Sequence, residues 1–181
     1  QVDAERICQE AADQGLEARA WHLDASRPLP TSQVSELRAA GFSHVYHFAT
    51  PQIAKSPSGR WSQVLFTEFC EFYVRSFADV VHAAAPSAAS AAPLRALFPS
   101  TVFLDQPAKG FAEYCAAKAA GEALCDHLAL EPGLLIHRPR LPRLQTDQNA
   151  SFMGVEGEAP LQVMLGLLEA LHPLDEPGRK P

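Results

Sequence analysis

Residues 98–122, FPSTVFLDQPAKGFAEYCAAKAAGE, decide how this chain is read. They pattern as a strand ending in Ser100 and Thr101, a Pro/Gly loop, and a helix from about 111 to 130. That helix is rich in Ala, Leu and Glu, which all favour helix. A spacing of four puts Tyr114 and Lys118 one turn apart on one helical face. The two hydroxyls precede Tyr114 by fourteen and thirteen residues. Phenol, ammonium and hydroxyl can then converge on a spot the size of a carbonyl group. A phenol, with a pKa of ~10, is a poor acid or base at neutral pH. A neighbouring cation favours the phenolate, and a tuned Tyr can exchange a proton with an alcohol. A Tyr and a Lys four apart on a surface helix also occur by chance, so the flanking segments carry the weight.

Outward from this stretch, apolar strands alternate with helices. Residues 2–14 form an amphipathic helix closed by Gly15, and 17–23 (EARAWHL) read as a strand ending at Asp24. Thr31 or Ser32 caps a helix over 33–40 closed by Gly41. Residues 44–48 (HVYHF) are a short strand ending at Ala49 and Thr50, and polar 55–60 is a loop. A long helix follows over 61–84, then an Ala/Ser/Pro-biased connection over 83–93. The central strand, about 95–104, leads into the 111–130 helix. Residues 133–137 (GLLIH) form another strand, ending in Arg138 and Pro139. Residues 140–150 are polar and irregular, 160–171 make a last helix, and a frayed Pro/Gly-rich tail follows. This alternation predicts an α/β fold, a parallel sheet with helices on both faces. Ligands of such sheets sit beyond the C-terminal strand ends. Asp24, Ala49, Thr50, Ser100, Thr101, Arg138 and Pro139 all fall at such ends.

The bulk composition narrows the function. The chain has 181 residues, 47% of them hydrophobic, enough for one core. A net charge of −6, from 21 acidic and 15 basic residues, gives no footprint for nucleic acid or an anionic membrane. Apolar runs are too short for a membrane span and no signal-peptide pattern opens the chain. Four Cys without a CxxC read as free helical thiols of a reducing cytoplasm. His44 and His47, three apart on a strand, point to opposite faces and make no metal site.

These segments together resemble the short-chain dehydrogenase/reductase superfamily, in its extended or atypical branch. WHLDAS is similar to the strand whose Asp contacts adenine, and VYHFAT to the His-x-Ala strand end. FPST is similar to the strand with the catalytic hydroxyl, EYCAAKAAGE to the Tyr-x-x-x-Lys helix, and LLIHRP to the strand ending beside the nicotinamide. The resemblance spans residues 1–140 and implies a Rossmann-like fold and an NAD or NADP cofactor. It implies an oxidoreductase interconverting ketone and alcohol. Tyr114 is then the acid/base, Lys118 holds the nicotinamide ribose, and Ser100, with Thr101 second, orients the carbonyl. Asp24, Ala49, Thr50, Lys118, Arg138 and Pro139 form the cofactor-binding set. No metal is implied, and residues 140–181 form a small substrate-side segment.

Two departures stand out. Tyr73 occupies the long-helix position where the family usually carries Asn. The glycine-rich turn that holds the pyrophosphate is missing: ten Gly are dispersed, with no GxG. The pattern therefore reads as a domain truncated at its N-terminus, one that needs the missing part, another domain or another chain. Two other readings stay open: a non-catalytic Rossmann-like structural or interaction domain of a multidomain synthase, and an NAD-dependent epimerase or dehydratase. Arg138, Arg140 and Arg143 are candidates to grip a phosphate or carboxylate. Glu122 reads as structural, Trp21 and Trp61 as packing residues, and Cys115 as no nucleophile. The substrate itself reads as a small or carrier-borne carbonyl or alcohol.

Overall fold

The computed structural model describes residues 2–53, 56, 59–86, 92–144 and 159–172. Helices α1 (Val2–Asp13) and α2 (Thr31–Ala40) lead to β1 (His44–Tyr46). Next come α3 (Gln63–Cys70), a π-helical segment (Glu71–Ser76) and α4 (Phe77–Ala84). After β2 (Leu94–Leu97) and β3 (Ser100–Thr101), a 3₁₀ turn (Val102–Leu104) precedes α5 (Ala112–Leu128). Strands β4 (Leu134–His137) and β5 (Arg140–Leu141) and helix α6 (Pro160–Leu171) complete the described chain.

The sheet is parallel, in the order β1-β2-β4, with Val45 opposite Ala96 and Ala96 opposite Ile136. Strands β3 and β5 form a second parallel pair. The α/β fold with a parallel sheet is therefore present. Strand alternation divides β2 between two layers. Leu94 and Ala96, continued by Phe98, enter the core cluster with Phe69, Tyr73, Phe77 and Tyr114 from the helices. Leu97 instead lines a cavity of about 250 Å³ with Leu167, Ala170 and Leu171 of α6. Helix α6 is also tied to β1. The His172 ring lies 4.0 Å from that of His44, and the Tyr46 hydroxyl bonds His172 Nε2.

Several expected boundaries move for identifiable reasons. Residues 17–23 are not a strand: among the described residues they join no strand ladder. Trp21 packs edge-on against Phe42 at 5.7 Å instead. The strand expected over 95–104 breaks at Phe98 and Pro99, because Pro has no N–H to donate to a ladder. The chains stay in register across the break: Phe98 N donates to His137 O (2.7 Å) and Ser100 N to Pro139 O (2.8 Å). The stretch 140–150 starts with β5, and the remainder of it lies outside the described residues, as does the tail beyond 172. Neither Thr31 nor Ser32 caps α2: the cap position is Pro30, while Gly41 does close it at φ 63°. The long helix starts at Ser62, whose side chain accepts from Leu65 N, and it runs unbroken through the π segment.

Four free Cys lie on helices α1, α3 and α5, with Cys125 buried. Among the described residues no helix is long and apolar enough to cross a membrane. None of their His, Cys, Asp and Glu side chains cluster in threes to hold a metal. His44 and His47 diverge as their spacing requires. His47 is buried, its Nε2 hydrogen-bonded with Ser76 Oγ at 3.1 Å, and burial drops its pKa to about 4.

Gly121 controls how closely α5 approaches the sheet. A Cβ there would lie 2.3 Å from Phe98 Cζ and 3.0 Å from the Tyr73 carbonyl oxygen. Gly121→Ala gains up to ~1 kcal/mol of helix propensity and meets an overpacking cost of ~1–3 kcal/mol. We expect net destabilisation of ~1–2 kcal/mol, read as a lower urea midpoint. A midpoint at or above wild type would contradict the packing described here.

Candidate functional site

The site is built where β3, α5 and the π segment meet. Residues on a strand alternate sides, so the adjacent hydroxyls of Ser100 and Thr101 diverge. Ser100 Oγ donates to Glu122 Oε1 at 2.5 Å. Thr101 Oγ1 accepts the Phe103 N–H at 3.3 Å, and its hydroxyl pulls the neighbouring Tyr114 phenol's pKa down. Of the two candidate hydroxyls, Thr101 stands with Tyr114, while Ser100 is engaged elsewhere.

Tyr114 is 8% exposed and Thr101 6%. Burial pushes the Tyr114 phenol up to about 12, against the pull of the Thr101 hydrogen bond. The spacing argument expected Lys118 to lower this pKa. Here the Lys118 amine is itself 5% exposed, and burial brings it down to about 7. A half-charged amine in an apolar wall is a weak source of positive field, so desolvation dominates at Tyr114. Lys118 Nζ donates to the Pro99 carbonyl at 2.6 Å. Three rings surround it, with centroids at 3.8 Å (Tyr73), 4.9 Å (Phe98) and 5.8 Å (Tyr114).

Tyr73, at the long-helix position, reaches Thr50: their oxygens are 2.5 Å apart. Thr50 Oγ1 donates to Pro51 O at 3.0 Å, so the Tyr73 hydroxyl is the donor in that pair. Burial and the Tyr114 charge raise the Tyr73 pKa, so it stays protonated. Ala49, half-buried, precedes Thr50 on the loop after β1. Thr50, Tyr73, Lys118, Tyr114 and Thr101 thus form one contiguous set at the C-terminal edge of the sheet.

The remaining candidates are placed differently. Arg138 pairs with Asp126 at 2.8 Å and with Glu122 at 3.3 Å. Arg140 grips Glu122 with two contacts, 2.8 and 2.6 Å, and also pairs with Asp105. Arg143 lies over the Phe103 ring at 5.4 Å. Two of the three arginines are therefore committed to internal carboxylates. Glu122, legible from sequence only as structural, is their shared anchor. The Arg140 contacts, and then Ser100, hold its carboxyl below the usual range against burial. Pro139 contributes its carbonyl to Ser100 N. Asp24 is exposed and turns back on Ser26, accepting from its N–H (3.0 Å) and hydroxyl (2.6 Å), which lowers its pKa. Arg75 anchors that loop through Ala25 O at 2.8 Å.

The backbone arrangement matches solved structures of short-chain dehydrogenases. A short chain dehydrogenase from Salmonella enterica serovar Typhi superposes with a TM-score of 0.79 at 18% identity, covering 94% of this chain and 76% of that one. A 7α-hydroxysteroid dehydrogenase complexed with NADH and 7-oxo glycochenodeoxycholic acid gives 0.77 at 15% identity, with 93% and 72% covered. A blue fluorescent protein from a metagenomic library, in complex with NADPH, gives 0.68 at 20% identity, with 83% and 63% covered. No family model matches the sequence, and no curated protein does either. The fold is the Rossmann-like fold of the short-chain dehydrogenases.

Proposed function

We propose that this chain belongs to an NAD(P)-dependent oxidoreductase that interconverts a ketone and an alcohol. The observation that carries the reading is the contiguous Tyr114, Thr101 and Lys118 set at the C-terminal edge of a parallel sheet. The similar folds solved with NADH or NADPH point the same way. In this reading Tyr114 delivers the proton to the substrate oxygen in reduction. Thr101, whose hydroxyl lies beside the phenol, orients the substrate oxygen. A bound nicotinamide supplies or takes the hydride.

The residues present fit part of that cofactor. Lys118 Nζ uses one of its three donors on Pro99 O, which leaves donor capacity for a ribose hydroxyl. Thr50, beside it across Tyr73, offers a further hydroxyl. The glycine-rich turn that would receive a diphosphate is not in this sequence. NADP and NAD fit this half-site equally well.

A second reading, a non-catalytic Rossmann-like domain, draws support from one observation. Tyr114, Thr101 and Lys118 are each under a tenth exposed, and Arg138 and Arg140 are already ion-paired. Titration of the protein in its natural full length with NADH and with NADPH, followed by nicotinamide fluorescence, separates the two. We expect saturable binding of one of them in the micromolar range. Absence of binding by both would remove the oxidoreductase reading and leave the scaffold.

A further inference from the structure

We propose that Tyr73, tethered by Thr50, is a positioning residue for Lys118: its ring covers the amine and keeps it on the Pro99 carbonyl, closed to ligands until the tether opens. Giving Lys118 a ligand at all rests on the oxidoreductase reading, whereas the cover itself does not.

Four observations carry this. Lys118 Nζ lies closest to the Tyr73 ring, at 3.8 Å from its centroid, so that the ring face lies directly over the amine. Among the described residues Nζ has one hydrogen-bond acceptor, the Pro99 carbonyl, although it carries three donors when charged. Both side chains are closed to solvent, Tyr73 at 1% and Lys118 at 5% exposure. Finally, Tyr73 sits inside the π segment Glu71–Ser76. Such i→i+5 turns add a residue and re-aim side chains, and they recur at functional sites.

The ring is held from several sides. Phe69 stacks on it at 5.8 Å and 8°, and Tyr114 meets it edge-on at 5.7 Å. The hydroxyl is fixed by Thr50, which lies on the loop after β1 and not on the helix. The bond therefore joins two separate elements through the ring that covers the Lys118 amine. Loss of that bond frees the ring at its outer end, while Thr50 keeps its own bond to Pro51 O. A ligand that needs Lys118 must displace the ring, so its apparent affinity is reduced by the fraction of molecules that are open.

Competitive acetylation with acetic anhydride at pH 9 tests this, with each lysine followed by mass spectrometry. The Lys118 amine is already unprotonated at pH 9, so its rate reports access. Exposed Lys109 serves as the internal reference. In the wild-type protein we expect Lys118 to react at least tenfold more slowly than Lys109. Tyr73→Phe, which keeps the ring and removes only the tether, should raise the Lys118/Lys109 ratio about threefold to fivefold, the scale of one lost hydrogen bond. Tyr73→Ala should raise it tenfold or more. Leu128→Ala, a cavity in buried α5 away from the amine, is the control and should leave the ratio unchanged. An unchanged ratio in Tyr73→Phe and Tyr73→Ala overturns the proposal, as does an equal rise in Leu128→Ala. A raised ratio in a protein that binds neither NADH nor NADPH upholds the cover and removes the oxidoreductase reading instead.

Discussion

Tyr114→Phe is expected to lower turnover by about 10²–10⁴-fold, the usual size of a lost general acid or base, while leaving NAD(P)H affinity within about threefold. The phenol lies beside the Thr101 hydroxyl and the ring fills the core between Phe69, Tyr73 and Phe111. Phe retains that packing and removes the proton. The direction of the Tyr114 pKa shift adds a second expectation. With the phenol pushed up to about 12, it carries its proton throughout the neutral range. Reduction, which consumes that proton, should be insensitive to pH from about 6 to 8. Oxidation, which needs the phenolate, should rise about tenfold per pH unit over the same range, because the phenolate fraction does so well below the pKa. Steady-state rates in both directions check this. A Tyr114→Phe variant with more than a tenth of wild-type turnover would remove Tyr114 from the chemistry.

Lys118→Met is expected to abolish most activity and yet to make the protein more stable at pH 7. The amine is desolvated among Tyr73, Phe98 and Tyr114, and its pKa falls from 10.5 to about 7. The sign follows from proton counting. Between about pH 7 and 10.5 the unfolded chain binds a proton that the folded chain does not, so stability rises with pH across that window. The contribution of Lys118 is fully present above 10.5 and is lost as the pH falls toward 7. At 1.36 kcal/mol per pH unit the span is about 5 kcal/mol. A thioether of similar length removes this dependence and fills the same space. It also leaves the Pro99 carbonyl without its donor, at a cost of ~1–3 kcal/mol. The net expectation at pH 7 is a gain of ~1–3 kcal/mol, or several degrees in Tm at this chain length. Urea unfolding at pH 7 and 9.5 measures both parts. The wild-type protein should gain stability between the two pH values and Lys118→Met should gain less. A Met variant less stable than wild type at pH 7 would show that the buried amine contributes more through its contacts than it costs by desolvation.

Local rules were enough where structure is local. Helix α6 runs from Pro160 to Leu171 as its apolar period and leading Pro indicate, and Gly41 and Gly15 take positive φ at helix ends. Helix α5 shifts by one residue at its start and two at its end from expectation. Strands were less legible, because a strand exists only through its neighbours. Residues 17–23 have the composition of a strand and join no strand ladder among the described residues. The 95–104 run divides at Pro99, and its second half turns into a 3₁₀ segment.

Within the site, chain order and spacing alone identified Tyr114, Lys118 and the Ser100/Thr101 pair as residues brought near one another, and the alternation of apolar strands with helices indicated the parallel α/β architecture. Tertiary structure decided the rest. Adjacent strand residues face opposite ways, so the partners available on each side sent Ser100 to Glu122 and Thr101 to Tyr114. Glu122 drew in Arg138 and Arg140, which the chain in isolation left as candidate anion grips. The helical spacing of Tyr114 and Lys118 suggested a cation tuning a phenol. Depth of burial, which no spacing encodes, instead raised the phenol and lowered the amine. The Tyr73–Thr50 bond joins residues 23 positions apart, and only the packing of the long helix against the loop after β1 brings them together. Identity and order of the candidate site groups are properties of the sequence; their protonation, partners and accessibility follow from the solvent that the fold removes around them.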